Sequence, residues 1–308
     1  ALPVLTATVV LISTEATAYS ETTGISSVTM VAVRLQVTAL TVCIPQLFTL
    51  RSCWQDWVQL WTRNWFRIVA AGVSIGISLL IFVVALSLTS MSHCLLLTST
   101  EPLYLLAYNY YKERRANRYE IAGVVTSLVG IALISATSSS EAKATWYGDL
   151  ISMSASGMFL IFIINTSEVL AEPSIPVFHY FFSVASVGCL TNFLLLCLIV
   201  PGEVPEFFTW FTTSNWFALA WLGICPGAIG NFGATYLVKF ISPLIVTVFI
   251  GLIPPIGSFI GWCFGFQDIP PIQTWVGGAL CILGCTAVTL ASDEAKPEYT
   301  RLPDKELD

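Results

Sequence analysis

Apolar residues in this chain gather in long runs separated by short polar or charged intervals. The runs recur at lengths close to the ~20 residues a helix needs to cross a hydrocarbon core ~30 Å thick. Ten such segments can be drawn, at about residues 1–18, 28–50, 68–89, 92–111, 119–137, 147–169, 175–200, 216–238, 242–265 and 270–291. The pattern predicts an all-α, polytopic membrane protein with ten transmembrane helices. Between the second and third segments, Trp54, Trp57, Val58, Trp61 and Trp65 recur at helical spacing with Gln55, Asp56 and Gln59 between them, which predicts a separate helix lying in the membrane interface. Phe207, Phe208, Trp210, Phe211 and Trp216 form a candidate aromatic belt at the other face. The charged stretch 292–308 has no apolar period and is expected to be a solvated tail.

Composition agrees with the pattern: the 308 residues are 56% hydrophobic and 10% charged, with a mean hydropathy of +0.79, well outside the range of soluble domains. The placement of the cations sets an orientation. Arg51, Arg63, Arg67, Lys112, Arg114, Arg115, Arg118, Lys239, Lys296, Arg301 and Lys305 all fall on one side of the ten segments, and Lys143 falls on the other. Positive-inside bias therefore predicts both termini in the cytoplasm. No basic patch with interleaved aromatics is present, so nucleic acid is set aside as a partner. The nine cysteines form no CxxC pair and mostly sit in apolar runs, so neither a disulfide framework nor a metal site follows, and no cofactor is expected. The first residue is Ala1 and its apolar run is already under way, which reads as a clipped first helix.

Laid side by side, the two halves of the chain repeat. Asn64-Trp65-Phe66 recurs as Asn215-Trp216-Phe217, Gly72 and Gly76 as Gly223 and Gly227, Pro102 as Pro254 or Pro255, and Gly123 with Gly130 as Gly277 with Gly284. Four matches in order, at nearly constant offset, define an N-terminal unit over 1–137 and a C-terminal unit over 147–291. Five helices per unit is an odd number, so the second copy must enter the membrane upside down. Inverted repeats of this kind place a solute site near the midplane, where helices are broken by Gly or Pro.

One carboxylate stands out against the apolar background. Glu101, in Thr98-Ser99-Thr100-Glu101-Pro102, lies about ten residues from either end of its segment, hence ~15 Å deep at a rise of ~1.5 Å per residue. Insertion scales put the cost of such a group at ~2.5 kcal/mol or more, unless it faces a partner, a wet cavity or its own neutral form. Pro102 cannot donate to the carbonyl of Thr98, so the helix is expected to open or kink where three hydroxyls are also on offer. The alternative is a structural carboxylate bonded to a neighbouring helix. Arg34, some six residues inside the second segment, is either an anchor snorkelling to the outer interface or a contact at a gate or substrate. Glu15 and Glu168 read as surface-level charges. His179 reads as a hydrogen-bonded packing residue, and Gly257, Gly261 and Gly265 as a close-packing face.

These residues resemble the drug/metabolite transporter superfamily with two EamA-like repeats. The likeness rests on Arg34, Phe82-x-x-Ala85-Leu86 after the Gly72 and Gly76 pair, Pro102, Glu113, the spacing of Gly123 to Gly130, and their echoes in the second half. It covers about residues 25–291 and departs from the family pattern at Gln267-Asp268 and in the first helix. The resemblance implies both ends in the cytoplasm, a central cavity lined chiefly by helices 1, 3, 4, 6, 8 and 9, and alternating access.

The candidate substrate-binding residues are Glu101, Thr98, Tyr104, Tyr108, Asn231, Tyr236 and Arg34, with Pro102, Pro254 and Pro255 as candidate kinks or gates. The expected function is secondary transport of a small organic solute such as a metabolite, amino acid or amine, by alternating access and with Glu101 pairing with a cation or carrying a coupling proton. A nucleotide-sugar or organic-anion exchanger ranks lower, since such a polyanion calls for several buried cations and the membrane interior offers Arg34 alone. An intramembrane enzyme also ranks low, because no His-Glu-x-x-His and no mid-membrane pair of aspartates is present. A transporter-like accessory subunit of a larger complex remains an alternative. Expected partners are the bilayer, the solute, and a second copy or larger membrane assembly.

Overall fold

The computed structural model describes residues 2–15, 18–19, 22, 24–89, 91–112, 117–135, 145–265, 269 and 271–294, which are helical with no strand among them. Glu113, Lys143, Gln267, Asp268 and the tail from residue 295 lie outside the described residues, as does the side chain of His93. Among the described residues, seven stretches are long and apolar enough to cross a membrane: Ser27–Phe48, Trp54–Leu88, Trp146–Leu170, Val177–Ile199, Trp216–Val238, Pro243–Cys263 and Ile272–Ala291. The protein is an all-α, multi-pass membrane protein.

The elements in order are α1 (Leu2–Ser13), α2 (Ser27–Leu88), α3 (Met91–Thr98), α4 (Glu101–Tyr111), α5 (Arg118–Ser135), α6 (Trp146–Leu170) and α7 (Val177–Ile199). Short turns over 201–212 include α8 (Val204–Thr209). Then come α9 (Trp216–Leu222), a π-helical stretch Gly223–Gly230, α10 (Asn231–Val238), α11 (Pro243–Ile250), α12 (Ile253–Cys263) and α13 (Ile272–Glu294).

The second and third segments depart from expectation, because the helical ladder runs unbroken through all 62 residues of α2. Straight, such a helix would extend ~93 Å. Leu35 and Gly72 nevertheless both pack beside Gly188 of α7, so the ladder turns back on itself between them. The expected interfacial helix at 54–65 is therefore part of α2. Its indoles are divided in use: Trp57 and Trp61 each donate from Nε1 to Ser183 Oγ, at 3.1 and 2.9 Å, while Trp54 and Trp65 are exposed. Helical periodicity in this stretch served both faces, one docking on α7 and one facing outward.

Glycines set the closest helix contacts, as they must where backbones approach within side-chain range. A Cβ on Gly72 would lie 2.5 Å from Val187 Cβ and 2.9 Å from the Val184 carbonyl oxygen. One on Gly223 would lie 2.4 Å from Val37 Cβ and 3.0 Å from the Arg34 carbonyl oxygen. A Cβ on Gly130 would meet the Gly277 oxygen at 2.5 Å, and one on Gly284 would meet the Gly123 oxygen at 2.5 Å, so α5 and α13 touch through bare backbone.

Two helix pairs are interrupted in mid-course. Residues 99–100 separate α3 from α4, and residues 251–252 separate α11 from α12; each following helix carries proline in its first turn, Pro102 in one, Pro254 and Pro255 in the other. The proline removes a donor, so a carbonyl in the preceding turn loses its intrahelical partner. At the first break Ser156 of α6 supplies the replacement: its Oγ donates toward the carbonyl oxygens of Leu97 and Thr98, at 2.7 and 2.9 Å.

Candidate functional site

The breaks, both limbs of α2, α6, α7 and α10 enclose one central cavity of about 220 Å³. Its wall is mostly apolar, with Phe82, Phe159, Phe162 and Phe181 among the lining residues. The charged residues on it are Glu15, Arg34 and Glu101. Lining from α2 and α7, through Leu35, Thr38, Val184 and Ala185, extends the set of helices implied by the family resemblance.

Glu101 opens α4. It is 8% exposed, and its Oε2 has no hydrogen-bond partner among the described residues. Thr98 and Ser99 line the cavity next to it; Thr98 Oγ1 donates to the Cys94 carbonyl at 2.7 Å.

Arg34 is 1% exposed and held from two directions. Nη2 donates to Glu15 Oε2 at 2.8 Å, Nη1 donates to Glu15 Oε1, and Nη1 also donates to the Tyr19 hydroxyl at 2.8 Å. The resulting two-point guanidinium–carboxylate pair is the stronger class of ionic hydrogen bond. Glu15 is thus a half-buried partner with its side chain 13% exposed, in contrast to the surface-level charge expected of it. Arg34 Nε has no hydrogen-bond partner among the described residues. Below it, the Thr38 hydroxyl lies 2.9 and 3.0 Å from the carbonyl oxygens of Arg34 and Gly223, tying α2 to the π-helical stretch. Pro226 lies inside that stretch, where its missing N–H favours the wider ladder.

The structure brings Glu101, Thr98, Arg34, Asn231 and Pro254 to the cavity wall. The other named residues lie elsewhere. Tyr236 is 40% exposed and stacks between Phe232 and Phe240; the Tyr108 hydroxyl is 3.4 Å from Glu168 Oε1; Tyr104 is half-buried on α4; Pro102 is buried in the first turn of α4; and Pro255 packs toward Gly278 of α13. His179 is buried, its Nδ1 within 2.8 Å of the Gln46 amide nitrogen. Five polar lining residues were not legible as site residues in the sequence: Glu15, Tyr19, Thr38, Ser78 and Thr235. The first two were legible only as a pair for Arg34, and no spacing rule links residues on separate helices.

The two ends of the bundle differ. At the end carrying the cations, Arg63 pairs with Glu172 and Arg67 with Glu168, each at 3.0 Å and well exposed, while Lys239 donates to the carbonyls of Pro173 and Ile175. At the opposite end Glu203 accepts from the hydroxyls of Ser26 and Thr29, and Thr89 donates to Asp149 at 2.6 Å.

No family model matches the chain, and no curated protein matches it. Among solved structures it is similar to one described only as the crystal structure of a protein, at a TM-score of 0.73 and 18% identity, with 96% of this chain and 98% of the other covered. At that identity the likeness is one of fold, and it extends over essentially the whole of both chains.

Proposed function

We propose that the protein is a secondary transporter of a small organic solute, of the drug/metabolite transporter type, built from two inverted five-helix repeats with both ends in the cytoplasm. The observation that carries this reading is the central cavity, closed around by broken helices and holding a buried carboxylate with a free oxygen. Several contacts support the repeat. The pairing of Gly72 with Val184 and Val187 is answered by that of Gly223 with Arg34 and Val37, and Gly123 with Gly284 by Gly277 with Gly130. Contacts that exchange in this way are what a two-fold axis lying in the membrane plane produces. The separation of charges between the two ends supports the orientation.

Glu101 is the coupling group in this proposal, binding a cationic centre of the solute or a proton in turn. Glu15 neutralises Arg34, so the charged lining residues leave no uncompensated cation for a polyanionic substrate. A volume of about 220 Å³ also falls below the ~300–1,000 Å³ of pockets for drug-sized ligands. The test is solute flux against pH in proteoliposomes, for the parent and Glu101→Gln, beside melting curves of both. The variant is expected to keep its melting temperature and lose at least tenfold in flux. Parental flux across the pH range would remove Glu101 from the mechanism, and loss of folding would make it structural.

A further inference from the structure

The cations at the basic end of the bundle are not used alike. Arg63 and Arg67 of α2 are each paired with a carboxylate, Glu172 and Glu168, and Lys239 donates to the carbonyls of Pro173 and Ile175. The turn from α4 to α5 is different. Lys112 at the end of α4 and Arg118 at the start of α5 are exposed, and neither has a carboxylate partner among the described residues. Each lies on a tyrosine instead: Lys112 Nζ is 5.8 Å from the centre of the Tyr108 ring, and Arg118 Cζ is 5.0 Å from that of Tyr119. An aromatic quadrupole attracts a cation but carries no net charge, so both charges stay uncompensated. The carboxylates nearest to hand have other duties, since Glu120 accepts from the Asn117 N–H at 3.1 Å and Glu168 holds Arg67. By sequence, the connection between the two cations adds Arg114 and Arg115 against Glu113.

Aromatic rings stand beside this charge. Tyr110 and Tyr111 close α4 at 79% and 84% exposure, and Tyr119 is 51% exposed. A phenol offers an apolar body with a polar tip and is enriched where hydrocarbon gives way to headgroups. The 11 residues of α4 cover ~16 Å, so a helix that opens near the membrane midplane ends at that depth. Backbone amides of the α5 start are partly taken, with the Tyr119 N–H donating to Asn117 Oδ1 at 3.2 Å, which leaves recognition of an anion to the side chains. Cations alone would serve any soluble anion; the exposed rings beside them suit a partner that lies in the membrane surface.

We infer that the turn between α4 and α5 binds the headgroup of an anionic phospholipid, with Lys112 and Arg118 as its counter-ions and Tyr110, Tyr111 and Tyr119 at headgroup level around it. The leaflet is the one at the basic end, cytoplasmic in the orientation proposed above. An anionic surface is worth about fivefold in affinity for each Lys or Arg near it, so two uncompensated cations should give a preference of about tenfold or more.

The probes are dioleoyl phosphatidylserine, dioleoyl phosphatidylcholine and glycerophosphoserine, which is the anionic headgroup without its chains. Each is titrated into the purified full chain in neutral detergent micelles, with bound molecules counted by native mass spectrometry and the melting shift as a second readout. Phosphatidylserine is expected to bind about tenfold more tightly than either of the others. Lys112→Gln with Arg118→Gln should erase that preference, and Lys112→Arg with Arg118→Lys should keep it. Arg63→Gln with Glu172→Gln removes a paired cation at the same end and should leave it unchanged. A photoreactive phosphatidylserine locates the site on the parent protein, whatever the variants do, and should label the segment from Tyr108 to Tyr119. Equal binding of the two lipids, glycerophosphoserine binding as tightly as phosphatidylserine, a preference that survives loss of both cations, or labelling confined to other segments would each overturn the inference. None of these readouts uses a solute. A failed lipid site therefore leaves the transport reading standing, and a chain without flux can still carry the lipid site.

Discussion

The two interrupted helix pairs have the same frame and different contents. Met91–Thr98 and Pro243–Ile250 are both 8 residues long, and Glu101–Tyr111 and Ile253–Cys263 both 11, with each second member beginning 152 residues later (91 to 243, 101 to 253). In that register Pro102 answers Pro254, Ser99-Thr100 answers Gly251-Leu252, and Glu101 answers Ile253. The exposed carbonyls at the first break are held by the Ser156 hydroxyl, whereas at the second the Cys285 thiol lies 3.5 Å from the Val248 oxygen. A second substitution of the same sort appears where glycine contacts align the halves, because Arg34 stands where Val184 stands in the other copy. Arg34, Val184, Glu101 and Ile253 all line the cavity. Backbone interruption is therefore set by proline and the turn before it, independently of charge, and ionic chemistry was laid over one copy alone.

The largest effect should come from restoring that symmetry. Glu15→Gln leaves the Arg34 guanidinium buried without its counter-ion, and Arg34→Val strands Glu15; removing one partner of a buried pair costs ~3–5 kcal/mol. The double variant puts at Arg34 the valine that the other half carries at that place and a neutral amide at Glu15, so no buried charge is left unpaired and most of that loss should return. Flux should not return with it. Melting curves of the three variants check the prediction, and a double variant as unstable as either single one would mean that the two halves do not offer equivalent packing.

Much of this frame was legible in the chain, and the reasons are local. Spans follow from apolar length, and the interruption at residues 99–100 follows from Pro102 and its missing donor. The close approach of Gly123, Gly130, Gly277 and Gly284 follows from the absence of side chains at a repeated spacing. Long-range pairings were not legible. Glu15 looks like a charge near a helix end until Arg34 is seen beside it, and Ser156 carries no mark of its duty to two carbonyls nearly sixty residues away. The continuity of α2 was missed because charge and indoles at 51–67 have the composition of a connection. Docking of Trp57 and Trp61 on Ser183 is a tertiary fact that composition does not encode.

Glycine-to-alanine pairs sharpen the comparison at a smaller cost. A methyl on Gly284 would sit 2.5 Å from the Gly123 oxygen and 2.7 Å from the Ser127 nitrogen, both backbone atoms that move only if α5 and α13 part. Overpacking of this order costs ~1–3 kcal/mol. Gly130→Ala meets the Gly277 oxygen at 2.5 Å in the corresponding contact of the other copy and should cost a similar amount. Gly157→Ala, in the middle of α6 with nothing within 4 Å of its Cβ, should instead be neutral or stabilise by up to ~1 kcal/mol, since alanine gives up less backbone freedom in a helix. Unequal losses for Gly130→Ala and Gly284→Ala would break the two-fold relation at its tightest contact.

The smallest effect concerns two helix starts that correspond at the 150-residue offset of Arg34 and Val184, namely Ser26 and Pro176. Pro176 caps α7 without a side-chain bond, while Ser26 caps α2 through its Oγ and, together with Thr29, donates to the Glu203 carboxylate. Burial alone would raise the pKa of Glu203, but the Ser26 and Thr29 hydroxyls outweigh it and hold the carboxyl below the ordinary range. A group whose pKa is lowered by folding stabilises the fold when ionised. That contribution is complete above the unfolded value of ~4.3 and is lost as pH falls through the lowered folded value. The negative charge also faces the positive end of α2, which adds to the same sign. Glu203→Gln should therefore melt below the parent at neutral pH, and the gap should close as the solution is acidified past ~4.3. Melting curves of both proteins between neutral pH and about pH 3 read it directly. A gap that stays constant over that range would assign the Glu203 contribution to hydrogen-bond geometry, which glutamine shares in part, and would leave the two helix starts without the electrostatic difference argued for them.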